Sequence, residues 1–320
     1  IFDSYYLDKA MVLYESLCKV ASDEFHIYIF CFDDRSREIL GDMKLGSATI
    51  LHHTNLEETY PELVDIKKIR SKAEYCWTCT PASIEYVLDH FEVDNCTYID
   101  ADLCFFSNPK VLLEEIENAK ADIVITPHRF SDSFKDRRLE KRSGKYCVEF
   151  NYFNQSENAR KCLTWWRERC FEWCYHLYEP DRMGDQKYLM KFSSMFDGVH
   201  ELEHLGGGMA PWNLAQYEIE DKDSMRFKVK KTGEEFQSVF YHFQNIRYIS
   251  ETTINISSET HSKKTKDALY KPYIKAICDM RDRLKSEYGL EFSLQKRYAS
   301  NKFIAFLQGT VLRFRIKSLS

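Results

Sequence analysis

A chain of 320 residues, 44% hydrophobic and 15% aromatic, carries enough apolar surface for one large core and a smaller appendage, which excludes disorder as its theme. A formal net charge of −5 excludes a general nucleic-acid binder, whose footprint would be an excess of Lys and Arg, and points instead to small anions held by local charge. The eleven cysteines fall mostly in apolar segments (Cys18, Cys31, Cys96, Cys104, Cys162), which suits buried free thiols in a reducing, cytoplasmic compartment. Neither a signal peptide nor an apolar run of about 18 residues stands out, so no membrane span is expected. The chain opens at Ile1 without a Met, and a few residues, up to most of a first strand, are expected to be missing ahead of it.

In chain order, Leu7, Ala10, Met11, Tyr14, Leu17 and Cys18 recur at helical spacing, and Phe25 to Phe32 then has the composition of a strand. Ala48 to Leu51 predicts a short strand, and Pro81 a helix start running to about His90, with Thr80 as N-cap. Cys96 to Ile99 predicts the next strand, Val111 to Ile116 a helix, Ala121 to Thr126 a buried strand and Tyr146 to Phe153 another. Glu157 to Tyr178 predicts a long aromatic-rich helix. Strands separated by helices imply βαβ units and a mostly parallel mixed sheet flanked by helices. From Glu251 to Lys266 the chain is polar, Ala268 to Glu287 predicts a charged helix, and Lys302 to Lys317 mixes apolar with basic residues. That tail could pack on the main domain or dock peripherally on the inner, anionic face of a membrane. The expected division is 1–250 and a helical, basic extension over 251–320.

The most informative stretch is Cys96 to Pro109, CTYIDADLCFFSNP. Asp100-Ala101-Asp102 is a D-x-D pattern, in which carboxylate oxygens hold Mg²⁺ or Mn²⁺ and the cation neutralises a diphosphate. Thr97-Tyr98-Ile99 before it has the character of a buried strand, and open α/β sheets bind ligands beyond the carboxyl ends of strands. Two aspartates on a solvated turn would be the plainer explanation. The second constellation is His204 to Trp212, HLGGGMAPW, where glycines permit backbone to approach a phosphate or metal. Cys76-Trp77-Thr78-Cys79 has redox or zinc spacing but offers only two ligands, and Cys170 and Cys174 have helical spacing, so a zinc site is not expected.

His204, Gly207, Pro211 and Trp212 match H-x-x-G-x-x-K-P-W of the family 8 retaining glycosyltransferases, with Ala210 in place of the lysine. Taken with FDSYYLDKAMVLYESL, EYCWTCTP, YIDADLCFFSNP, GDQKYL and FYHFQ, the chain resembles a group of GT-A bacterial nucleotide-diphospho-sugar transferases from surface-polysaccharide gene neighbourhoods. The resemblance covers roughly residues 1 to 250. It implies a GT-A fold and a metal site of Asp100, Asp102 and His204, with His242 as a rival or additional ligand unless it is a core histidine. The lysine's absence at Ala210 leaves the diphosphate to another cation, with Arg70, Lys72 or Lys187 conceivable. Asp185 of Gly184-Asp185-Gln186 resembles a residue of the sugar and acceptor pocket, while as an Asp before an amphipathic turn it suits an N-cap.

The same resemblance puts Tyr5 or Tyr6 against the base, unless they merely pack, and Asp33-Asp34 against base or ribose, unless they form a solvated turn. Gly207 and Trp212 join the donor site by their places in the motif, and Glu74-Tyr75 with Thr78 to Pro81 could line it at a helix start. The expected activity is transfer of a sugar, a UDP-sugar first, with Mn²⁺ or Mg²⁺, to a glycan or lipid-linked acceptor. The motif leans toward retention; inversion would need a base, which Glu149 or Asp185 could supply. A non-catalytic nucleotide-sugar binder is the main alternative. A nucleotidylyltransferase would need a G-x-x-R segment that Phe2 to Lys9 lacks.

Overall fold

The computed structural model describes residues 1–250, 253–256, 262–294 and 313–315. The first half runs α1 (Leu7–Val20), β1 (Ile27–Cys31), α2 (Asp34–Met43), β2 (Ala48–His52), α3 (His53–Thr59), α4 (Glu62–Ile69), α5 (Lys72–His90), β3 (Asn95–Ile99) and β4 (Leu103–Phe105). It continues through α6 (Lys110–Ala119), β5 (Ile123–Pro127), α7 (Phe134–Ser143), β6 (Tyr146–Asn154), α8 (Glu157–Glu172), α9 (Phe192–Met195) and β7 (Val199–Glu201). The remainder is β8 (Tyr217–Asp221), β9 (Arg226–Val229), β10 (Glu235–Gln237), β11 (Phe240–His242), β12 (Arg247–Ser250), β13 (Thr253–Asn255), α10 (Lys263–Thr265) and α11 (Lys271–Tyr288).

This is a mixed α/β architecture with sheets flanked by helices. The parallel pairings occur where helices separate strands, at β1 with β2 and at β5 with β7. The nine-residue β6 sits between β3 and β5 and runs antiparallel to both. An apolar cavity of about 420 Å³, lined from β1, β3, α1 and α5, lies between the β1–β2 pair and the four-stranded sheet. Residues 217–237 form an antiparallel meander, β10-β9-β8, that the sequence reading did not identify.

Two expected boundaries move. The helix ending at His90 starts at Lys72, because Ser71 and Glu74 form a reciprocal capping box, and Pro81 and Thr80 lie inside it. The helix begun at Glu157 stops at Glu172, where Trp173 turns extended, so the aromatic run to Tyr178 is loop. The basic, apolar segment 302–317 lies outside the described residues except for the strand Arg313–Arg315, which pairs with β13. No helix among the described residues is long and apolar enough to cross a membrane.

The extension beyond residue 250 shares a core with the N-terminus: one hydrophobic cluster includes Phe2, Met11, Phe243, Ile274, Leu284 and Leu290. Phe243 stacks on Tyr273 with ring centroids 3.7 Å apart, and the Tyr248 hydroxyl donates to Asp8 at 2.7 Å. The stack holds α11 against the end of β11, and the hydroxyl ties β12 to α1; Phe243 in turn donates its N–H to the Asp102 carbonyl of the D-x-D turn.

Candidate functional site

β3 delivers Asp100 at its carboxyl end, and the chain turns through Ala101 and Asp102 into β4. Main-chain bonds hold that turn from two sides: the Asp100 N–H donates to the Glu149 carbonyl at 3.2 Å, and the Phe243 N–H donates to the Asp102 carbonyl at 2.9 Å. β11 pairs antiparallel with β4 in the register His242 opposite Leu103. The imidazole therefore lands beside both aspartates, its Nε2 3.1 Å from Asp102 Oδ1 and 3.7 Å from Asp100 Oδ2. Its Nδ1 lies 2.6 Å from Glu149 Oε2, a fully buried carboxylate on β6. The Tyr98 hydroxyl donates to Asp100 Oδ1 at 3.0 Å, and the Trp212 ring stands edge-on to His242 at 5.4 Å.

The electrostatics follow from crowding these groups away from water. Burial pushes the Asp100 carboxyl up to about 7; His242 opposes this and the Asp102 charge adds to it. Burial also works against the Asp102 anion, yet the His242 cation outweighs it and, with help from Lys9, holds that carboxyl below its ordinary range. At His242 burial disfavours the cation, but Asp102 and then Cys147 and Glu149 overcome it, and the imidazole's pKa stands well above its usual value. As an imidazolium, His242 pairs with Asp102 through Nε2 and with Glu149 through Nδ1.

The donor set fits a hard divalent cation. Asp100, Asp102 and His242 each offer one atom within 4.8 Å of the others, two carboxylate oxygens and one imidazole nitrogen. Glu149 accepts from Nδ1 and so presents Nε2 to the aspartates, as carboxylates behind metal-bound histidines commonly do. A second group, Cys147, Glu149 and His242, meets the same spacing, but burial pushes the Cys147 thiol well up and disfavours the thiolate a metal needs.

His204 belongs to neither group of potential metal ligands among the described residues. Its Nδ1 accepts from the Gly206 N–H at 3.1 Å and its own N–H donates to Glu115 at 2.9 Å, so it shapes the glycine turn. Strand pairing thus sets His242, rather than the first-choice His204, beside the two aspartates. Glu149 is likewise not open to an acceptor, because it lies behind His242. Gly207 packs on Leu202 and Leu112, while its neighbour Gly208, at φ +92°, brings the loop against Glu149 and Arg129. Arg129 donates to the carbonyls of Leu202, His204 and Gly207 and pins that loop.

Asp185 sits at the N-cap position before a 3-10 turn but makes no capping bond with its side chain. Burial, then the charge of Asp100, pushes its carboxyl up to about 7, and Thr80 lies beside it. Asn151 faces the same side of the sheet as its register partner Tyr98. Both of its amide atoms are buried without a partner, as are Trp212 Nε1 and Tyr5 Oη. Such orphaned polar groups are uncommon in a closed interior and suit a site that binds a polyhydroxylated, charged ligand. The alternation Glu149, Asn151 along β6 is the signal that could have disclosed Asn151.

Other expected donor residues already have partners. Asp33 caps α2 through the Ser36 N–H and receives both the N–H and the hydroxyl of Ser4. Arg70 donates to the Phe171 carbonyl and stacks on Tyr175, while its Nε and Nη1 are buried without an acceptor. Lys187 donates to the carbonyls of Lys141 and Glu179. Lys72 is exposed, 3.8 Å from Asp3. Tyr6, by contrast, feels the charges of Asp102 and Asp100, and the buried Lys9 holds its Nζ 3.9 Å from the Tyr6 ring centroid.

No family model matches the chain. Among solved structures, it is similar to mouse xyloside xylosyltransferase 1 in its apo form at 17% identity and a TM-score of 0.46, over 76% of this chain and 93% of that one. Its curated relatives come from Bacillus subtilis strain 168. Uncharacterized protein YfnD is 29% identical over 271 residues, 83% of this chain and 84% of that protein. Uncharacterized protein YfnF is 31% identical over 263 residues, 79% of this chain and 82% of that protein. At that identity and coverage, the chain belongs to the family of YfnF.

Proposed function

We propose that this chain is a metal-dependent glycosyltransferase of the GT-A kind, similar to the family 8 type, which moves a sugar from a nucleotide-diphosphate donor to a glycan or lipid-linked acceptor. The observation that carries the reading is Asp100, Asp102 and His242 converging at the carboxyl end of a strand, in the sequence context of the transferase motifs. Bound there, Mn²⁺ or Mg²⁺ would neutralise charge developing on the departing nucleoside diphosphate.

The chain's own residues divide the remaining work. Glu149 fixes the imidazole's orientation through Nδ1, and Trp212 packs its edge against the ring. Asp185 and Asn151 offer acceptors and donors to sugar hydroxyls on the Tyr98 side of the site. We assign contact with sugar or acceptor to Asp185 rather than to Glu149, which is fully buried and held on His242. Retention is the stereochemical outcome we favour, on the motif around Trp212, and surface-polysaccharide synthesis is the setting the resemblance suggests. The extension beyond residue 250 is read as part of the transferase fold rather than a separate module, because it shares the core behind the D-x-D turn.

The test is a panel of UDP-, GDP- and CMP-sugars with Mn²⁺, followed by thermal shift and nucleotide release. One donor is expected to stabilise the protein and to be turned over slowly by water alone. Asp102→Ala should weaken that binding by about a hundredfold or more, as loss of a charged ligand does, and should also lower the melting temperature, because it leaves the buried His242 without its partner. Donor binding without transfer to any acceptor would favour a non-catalytic nucleotide-sugar binder, and an Asp102→Ala variant that binds like wild type would remove the metal assignment.

A further inference from the structure

The transferase motif's lysine is replaced by buried Ala210, and a metal and two aspartates cannot by themselves balance a diphosphate. We infer that Lys9 is the cation that holds the donor's diphosphate; this rests on the transferase reading above. Lys9 lies in the first turn of α1 and is 1% exposed. Its Nζ lies 3.9 Å from the Tyr6 ring centroid and 5.6 Å from that of Tyr5, and no carboxylate among the described residues is within ion-pairing distance of it. A lysine so deeply buried is ordinarily paired.

Asp8, whose charge acts on it, is already taken, one oxygen accepting from the Lys9 N–H and the other from the Tyr248 hydroxyl. The charge of Asp102 also acts on the ammonium, and Tyr273 ties the region to the D-x-D turn by stacking on Phe243, whose N–H donates to the Asp102 carbonyl. Two further donors nearby lack acceptors: the buried hydroxyls of Tyr5, on which Lys9 rests, and of Tyr273, which feels the charges of Asp102 and Asp8. Both tyrosines are held in their neutral, donating forms by burial. An ammonium and two hydroxyls without acceptors call for an anion, and beside a D-x-D turn the fitting anion is a nucleoside diphosphate. Tyr6 then serves as the face along which the lysine stem lies, rather than as a base-stacking ring.

The experiment compares wild type with Lys9→Met, which keeps the stem and removes the charge, by calorimetric titration with Mn²⁺ alone and with UDP, GDP and CDP in the presence of Mn²⁺. The inference expects nucleoside diphosphate affinity to fall by about tenfold to a hundredfold, the scale of one charged contact. It expects affinity for Mn²⁺ alone to hold or rise, since a like charge beside Asp102 is gone, and the ligand-free melting temperature to hold or rise, since an unpaired buried charge is gone. Unchanged diphosphate affinity overturns the role of Lys9 and leaves the transferase reading standing. Equal loss of Mn²⁺ affinity, diphosphate affinity and melting temperature overturns it in favour of a structural lysine. Wild type that binds none of the three diphosphates retires the transferase reading and this inference together. Lys9→Gln repeats the comparison should the methionine variant not fold.

Discussion

Asp185 is the residue at which stability and function pull in opposite directions. Its carboxyl is 6% exposed and titrates near 7, above the ordinary range, because ionisation must occur in a buried site already holding the Asp100 charge. Between the unfolded and folded pKa values the native state holds a proton that the unfolded state has released, so this group makes stability fall as pH rises from about 4 to about 7 and stay lower above it. Asp185→Asn removes that penalty. The variant is expected to gain on the order of 2 kcal/mol at pH 8 and nothing at pH 4, read by chemical denaturation at both pH values. Sugar transfer should fall about a hundredfold, the scale of one lost transition-state contact. Equal stability at pH 8 together with normal transfer would return Asp185 to a helix-start role. The histidines give the companion case: His242→Ala should weaken Mn²⁺ binding by at least about a hundredfold, and His204→Ala by less than threefold, because only His242 can ligate while its second nitrogen is held by Glu149. The opposite ranking in a Mn²⁺ titration would restore His204 as the ligand.

At the scale of elements, what was legible in the sequence was local. The apolar run of β3 followed by two aspartates is a strand and a turn in adjacent residues, and the structure places the D-x-D where that pattern implies. His242 was harder to rank because its place depends on β11 pairing with β4, a contact between distant segments that no spacing encodes. The start of α5 was misread for a different reason: Pro81 is a common first-turn residue, but the capping box at Ser71 and Glu74 supplies a stronger start nine residues earlier in the chain, and the helix tolerates the proline. The glycine run is the element whose mutation should be felt most widely. A Cβ on Gly208 would lie 2.8 Å from Thr126 Cγ2 and 2.9 Å from Arg129 Nη1, at a φ that L residues rarely adopt. Gly208→Ala is therefore expected to cost about 1–3 kcal/mol and to loosen the Arg129 clamp, with weaker Mn²⁺ binding as Glu149 shifts. A melting curve and Mn²⁺ affinity both matching wild type would show that the loop relaxes without disturbing the site.

Across the whole molecule the site is a meeting of long-range pairs: β3 and β6 from the central sheet, and β11, paired with β4 and held at its end by α11 through the stacked Phe243 and Tyr273. Buried carboxylates, an imidazolium and an unpaired lysine in one interior are costly to fold around without a ligand, so ligand binding should register as global stability rather than as a local effect. Metal and nucleotide should also depend on each other, since each neutralises charge that opposes or invites the other. At a hundredfold excess over Kd, a ligand confined to the native state adds about 2.7 kcal/mol, or roughly 5 °C of melting temperature for a chain of this size. The expected outcome is that the preferred nucleoside diphosphate gives such a shift with Mn²⁺ and loses most of it when EDTA is added, while EDTA alone leaves the ligand-free protein unmoved. A shift that survives EDTA would mean that the phosphates are held by the protein's own cations and hydroxyls, and that the aspartates serve the sugar instead of a metal.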